Sequence, residues 1–113
     1  PTIPMTLNEY QEGATKTALY PDAGKNLIYP ILGLCGESGE LAEKMKKLIR
    51  DDAGILTDER KMLMKKELGD VLWYVSQIAR ELDTNLDEIA TENLTKLASR
   101  MERGTLHGDG DLR

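Results

Sequence analysis

The chain contains no phenylalanine, one tryptophan, one cysteine, one histidine and only four prolines. A single cysteine, Cys35, excludes an intrachain disulfide; Gly33, Leu34 and Gly36 around it offer no base or cation to lower its pKa, so a buried, unreactive thiol is expected. The single histidine, His107, lies in the C-terminal tail, where solvation is its ordinary state. The Glu-x-x-His pattern of di-iron bundles is therefore missing, which disfavours iron and zinc. No run of about 18 apolar residues occurs, and Pro1-Thr2-Ile3-Pro4-Met5 has neither the basic start nor the apolar stretch of a signal peptide. A cytoplasmic chain with no membrane partner is the expectation. Basic residues are also short, 15 against 20 acidic, and the resulting charge of −5 repels a phosphate backbone, so long nucleic acid is not an expected partner. A small phosphorylated ligand survives that exclusion, because bound divalent cations invert the local sign of an acidic pocket.

What is present fits one globular domain over residues 1–113, with a hydrophobic share of 40%. Trp73 and four tyrosines are the whole aromatic complement, so an aliphatic, methionine-filled core is expected. A chain this short buries a modest share of its surface, and association with copies of itself would help.

The punctuation predicts four helices. Thr6-Leu7-Asn8-Glu9 is a capping box, opening a helix from Leu7 to Leu19 that stops before Tyr20-Pro21-Asp22-Ala23-Gly24. Leu27, Ile31, Leu34, Leu41, Met45 and Leu48 form one stripe of a second helix from Asn26 to Arg50, with Pro30 in its first turn. Thr57 before Asp58 and Glu59 caps a third, reaching Leu82, and Asn85-Leu86-Asp87-Glu88 opens a fourth that runs to Arg103 and closes at Gly104. Thr105 to Arg113 reads as a loop-like tail. No alternating run is long enough for a strand, so the class is all-α, a compact four-helix bundle.

The acids sit where a soluble helix would place apolar residues. Leu63, Glu67, Asp70, Tyr74 and Ile78 follow a four-three-four-four spacing and share one face of the third helix. On the second helix Glu37 lies about 40° round from Leu41, with Glu40 one further step of about 60° and Glu43 beyond it at the rim. Antiparallel packing of the two helices brings four acids together, and burying them without a cation costs several kcal/mol each. Oxygen-only ligands suit Mg²⁺ or Mn²⁺. Solvated pairing with Lys44, Lys46, Lys47, Lys65 and Lys66 is the competing reading, weaker for Glu67 and Asp70 because Leu63, Tyr74 and Ile78 share their face. Gly33, Gly36 and Gly39 each cost about 1 kcal/mol relative to alanine inside a helix. Gly33, on the side of Glu37 and Glu40, admits either a packed helix or a ligand.

The segments Gly36-Glu37-Ser38-Gly39-Glu40-Leu41-Ala42-Glu43 and Glu67-Leu68-Gly69-Asp70-Val71-Leu72-Trp73-Tyr74 resemble those of the MazG-like all-α nucleoside triphosphate pyrophosphohydrolases, over most of the chain. That family's Glu-x-x-Glu and Glu-x-x-Asp pairs fall on Glu37, Glu40, Glu67 and Asp70. Many members carry two adjacent acids at the first position, whereas Gly36-Glu37 stands here, as in the shorter branch that cleaves deoxynucleotides; a fifth acidic ligand is thereby unsupported. Asn93-Leu94-Thr95-Lys96-Leu97-Ala98-Ser99-Arg100 resembles the family's fourth helix, whose basic side chains reach phosphates.

The resemblance implies that Glu37, Glu40, Glu67 and Asp70 are catalytic and hold Mg²⁺, with Mn²⁺ able to substitute, while Glu43 supports them from outside. A (deoxy)nucleoside triphosphate would be attacked at its α-phosphorus to give a monophosphate and pyrophosphate, with Lys96 and Arg100 on the phosphates. Tyr74 and Asn26 would contact sugar or base. Which acid serves as base, Glu40 being one candidate, is left open. Lys96 and Arg100 also fit ordinary surface charge at a helix C-terminus, and Tyr74 fits a core position. Trp73, about 100° away from Tyr74, suits a helix or subunit interface. The resemblance implies a homodimer or homotetramer. Phosphoribosyl-ATP pyrophosphohydrolysis and a non-catalytic helical adaptor are the alternative functions.

Overall fold

A computed structural model describes residues 5–104 and 110–111; the tail residues 105–109 and 112–113, His107 among them, lie outside it, as do residues 1–4. Four helices follow one another: α1 Leu7–Thr15, α2 Ile28–Asp51, α3 Asp58–Glu81 and α4 Leu86–Arg103. There is no strand among the described residues. The all-α class and all four predicted helices are observed.

The capping chemistry explains the boundaries. Thr6 and Glu9 form the reciprocal box of α1, Thr57 accepts from the Arg60 N–H at the start of α3, and Asn85 accepts from the Glu88 N–H at the start of α4. Gly104 closes α4 in the left-handed conformation, φ 71°, which a side chain would oppose. Two boundaries differ from expectation. α1 ends at Thr15, not Leu19, because the hydroxyls of Thr15 and Thr17 bond back to the carbonyls of Gln11 and Ala14, and the chain tightens into i−3 bonds at Thr17 and Ala18. α2 begins at Ile28, not Asn26, because the Asn26 side chain caps it from outside, accepting from the Tyr29 N–H at 3.1 Å.

α3 is the hub, packing against each of the other helices, whereas α2 packs on α3 alone. Ser76, Gln77 and Ala79 of α3 are fully buried, and Gln77 Nε2 donates to the Ser76 hydroxyl at 3.2 Å. Polar side chains of α1 hold the start of α4. Gln11 Oε1 accepts from the Leu86 N–H at 2.8 Å, and Asn8 Oδ1 accepts from the Asp87 N–H at 2.9 Å.

The core is not methionine-filled. It is built on Ala14, Ala18, Tyr20, Leu48, Ala79 and Leu86, while Met5, Met45, Met62 and Met101 are exposed. Cys35 is exposed rather than buried, since it sits on α2, which has a neighbour on one side only. No described helix is long and apolar enough to cross a membrane.

Candidate metal centre

The short turn between α2 and α3 forces the two helices antiparallel, so residues near the start of one meet residues near the end of the other. Arg60 Nε reaches Asp52 at 2.8 Å beside the turn, and farther along Gly33 lies against Tyr74. Between these points, carboxylate oxygens of Glu37, Glu67 and Asp70 lie within 4.8 Å of one another. Glu37 and Glu67 are half-buried and Asp70 is exposed, so the group opens to solvent on one side.

Crowding acts on Glu37. A hydrogen bond with Glu67, then burial, then the charges of Asp70, Glu67 and Glu40 hold the Glu37 carboxyl above the usual carboxylate range. Among the described residues, the cation paired with the group is Lys44, whose Nζ is 3.5 Å from Glu67 Oε1, with both side chains largely covered. One ammonium against three converging carboxylates leaves the site short of positive charge. Hard oxygen donors in such a deficit fit Mg²⁺ or Mn²⁺.

The other predicted residues are placed differently. Glu40 is exposed and outside the group of three, although its charge acts on Glu37. It makes no hydrogen bond or ion pair among the described residues. Glu43 pairs with Lys46 at 3.0 Å, which lowers its pKa. Asn26 is committed to its own loop, with Nδ2 donating to the Pro21 carbonyl at 2.8 Å. Lys96 and Arg100 form no ion pair with these acids among the described residues. Lys96 Nζ is 3.0 Å from Asp111 Oδ1, and the buried Arg100 guanidinium donates to the Asp111 carbonyl.

Tyr74 does stand beside the acids. Its ring fills the space beside the bare backbone of Gly33, where an added Cβ would be 2.1 Å from Cε1. A cavity of about 320 Å³ is lined by Thr17, Glu37, Asp70, Trp73 and Tyr74. Thr17 and Trp73 were missed by helical spacing, because Thr17 lies beyond the end of α1 and Trp73 faces the loop that follows it. Trp73 Nε1 donates to Thr17 Oγ1 at 2.8 Å, a contact spanning 56 residues for which the sequence carries no signal. Tyr10 of α1 is also near: burial first and then the charge of Asp70 push its hydroxyl pKa up.

Comparison with known proteins follows the same residues. Positions 29–105 match the profile described as the MazG nucleotide pyrophosphohydrolase domain. The chain is 46% identical over 114 residues to the "Gene 37 protein" of Mycobacterium phage L5, an alignment covering 96% of this chain and all of that protein. No solved structure matches the chain.

Proposed function

Because the chain belongs to the MazG nucleotide pyrophosphohydrolase domain family, we propose that it hydrolyses a (deoxy)nucleoside triphosphate between the α- and β-phosphates, releasing a monophosphate and pyrophosphate in a Mg²⁺-dependent reaction. The observation that carries this reading is the convergence of Glu37, Glu67 and Asp70 next to a cavity with aromatic walls.

Glu37, Glu67 and Asp70 would hold the metal. A divalent cation, when bound, neutralises phosphate charge and acidifies an attacking water. The residues do the rest. Lys44 balances Glu67 and keeps its carboxylate facing the group. Glu40 stands beside the group with a free carboxylate, and it takes the proton from the water that attacks the α-phosphorus. The sugar and base of the substrate lie in the cavity, against Tyr74 and Trp73.

The active species is a homodimer formed through the α2–α3 hairpin. Its outer face carries a groove of about 660 Å³ lined by Leu41, Met45, Leu56, Met64 and Leu68 among others, and Ile49 beside it is 60% exposed. The same hairpin of a second copy presents the same stripe, so a two-fold pairing covers both and supplies the layer that α2 lacks. Release of pyrophosphate and monophosphate from nucleoside triphosphates, measured with Mg²⁺ and again after chelation, tests the activity. Metal-dependent pyrophosphate is expected; orthophosphate as the product, or no metal-dependent turnover of any triphosphate, contradicts it.

A further inference from the structure

Lys44 follows Glu37 by seven residues on α2, two turns along and within about 20° of the same direction. Its local partner by spacing is Glu40, four residues back, an arrangement that supports an exposed helix. The structure pairs it otherwise. Lys44 crosses to α3, with Nζ 3.5 Å from Glu67 Oε1, and its side chain is 20% exposed against 16% for Glu67. Lys46, two residues on, makes the ordinary surface pair with Glu43, where the side chains are 61% and 43% exposed. An ion pair covered as Lys44 and Glu67 are is screened far less than a surface one. Lys44 is therefore a fixed positive charge built into the acidic group.

Glu37, Glu67 and Asp70 bring three negative charges when ionised, and Glu40, outside the group, adds a fourth that is felt at Glu37. Lys44 and one divalent ion set three positive charges against them; Lys44 and two such ions set five. Two ions about 3.5–4 Å apart also need carboxylates that offer an oxygen to each. Glu67 has one oxygen already turned to Lys44.

We propose that Lys44 takes the place of a second metal ion, so that the chain's own residues bind a single divalent cation. The proposal rests on the metal centre of the pyrophosphohydrolase reading, and adds to it the number of ions and the residue that sets it. Any further ion arrives on the triphosphate, held by phosphate oxygens.

The full-length chain, free of nucleotide and at low ionic strength, is titrated with Mn²⁺, and electron paramagnetic resonance counts the free and bound ion. One Mn²⁺ per chain is expected. Even at the dielectric constant of water, a unit charge about 6 Å from a divalent ion changes its affinity by about tenfold. Lys44→Met keeps an unbranched stem and removes the charge, so it is expected to bind the first ion at least about tenfold more tightly and to take up a second. Lys44→Gln removes the same charge without an apolar tip and is expected to match it, which separates charge from packing. Lys44→Arg keeps the charge and the parental count. Thermal melts give a second reading: saturating Mn²⁺ raises the Tm of Lys44→Met by more than that of the parent, because tighter binding to the folded chain stabilises it more. Two ions on the parent, a single ion or an unchanged or weaker first ion in both neutral variants, or no Mn²⁺ bound by any of these chains overturns the proposal. The predicted counts and affinities, with no pyrophosphate released from any triphosphate, support the role of Lys44 and defeat the proposed activity instead.

Discussion

Gly33→Ala isolates the contact that sets the spacing of α2 and α3. An added Cβ would lie 2.1, 2.4 and 2.6 Å from Cε1, Cζ and Cδ1 of Tyr74, where ordinary contact begins at 3.4 Å. The ring must retreat by roughly 1.3 Å, and it is a rigid plate, so either its χ angles leave their wells or the helices part. Overpacking of this kind costs about 1–3 kcal/mol. Against it, alanine in a helix interior gains about 0.5–1 kcal/mol over glycine. Taken at the middle of each range, about 2 against about 0.75 kcal/mol, the collision wins, leaving the variant about 1 kcal/mol less stable and lowering Tm by about 4–8 °C. Gly39→Ala is the control on the same helix: nothing lies within 4 Å of its Cβ position, so it keeps the propensity gain. Thermal unfolding followed by far-UV circular dichroism measures both. Removing the ring with Tyr74→Ala in the Gly33→Ala background relieves the collision, giving a favourable coupling in the double-mutant cycle. A Gly33→Ala chain as stable as the parent refutes the argument.

Three further outcomes follow from the same geometry. The raised pKa of Glu37 means that the folded chain binds its proton more tightly than the unfolded chain does, so stability falls as pH rises from the usual carboxylate range through the raised value. Thermal melts in EDTA from about pH 5 to about pH 8 should show this slope in the parent and lose it in Glu37→Gln; identical slopes contradict the crowding. Glu81 accepts from the backbone N–H of Gly24 at 2.6 Å and of Asn26 at 3.0 Å, so Glu81→Leu costs about 1–3 kcal/mol and speeds tryptic cleavage at Lys25, while unchanged cleavage counts against the latch. Met45→Glu places a charge in the apolar groove of the hairpin and should halve the particle mass in light scattering; an unaltered mass contradicts the proposed dimer.

The fold was legible where local chemistry decides it. Thr6, Thr57, Asn85 and Gly104 are caps whose side chains or φ act within a turn of themselves, and each marks its boundary as expected. The end of α1 was hidden because Thr15 and Thr17 choose between continuing the helix and bonding to it, a competition that spacing cannot settle. Glu67, Asp70 and Tyr74 were readable from one helical row. The convergence of Glu37 with that row needed only an antiparallel neighbour. Thr17 and Trp73 meet across 56 residues of chain, and Lys44 reaches Glu67 from another helix, contacts fixed by tertiary packing. Burial of Met45 failed because a lone copy of α2 has one partner face, leaving Met45 and Ile49, with Leu56 and Leu68 beside them, uncovered.

Mn²⁺ binding, followed by electron paramagnetic resonance with an α,β-imido nucleotide present, tests the metal centre most directly. Saturable binding to the parent chain, weakened by at least about 10- to 100-fold in Glu67→Gln and in Asp70→Asn with helicity unchanged, is the predicted result. Equal affinity in all three chains would contradict it.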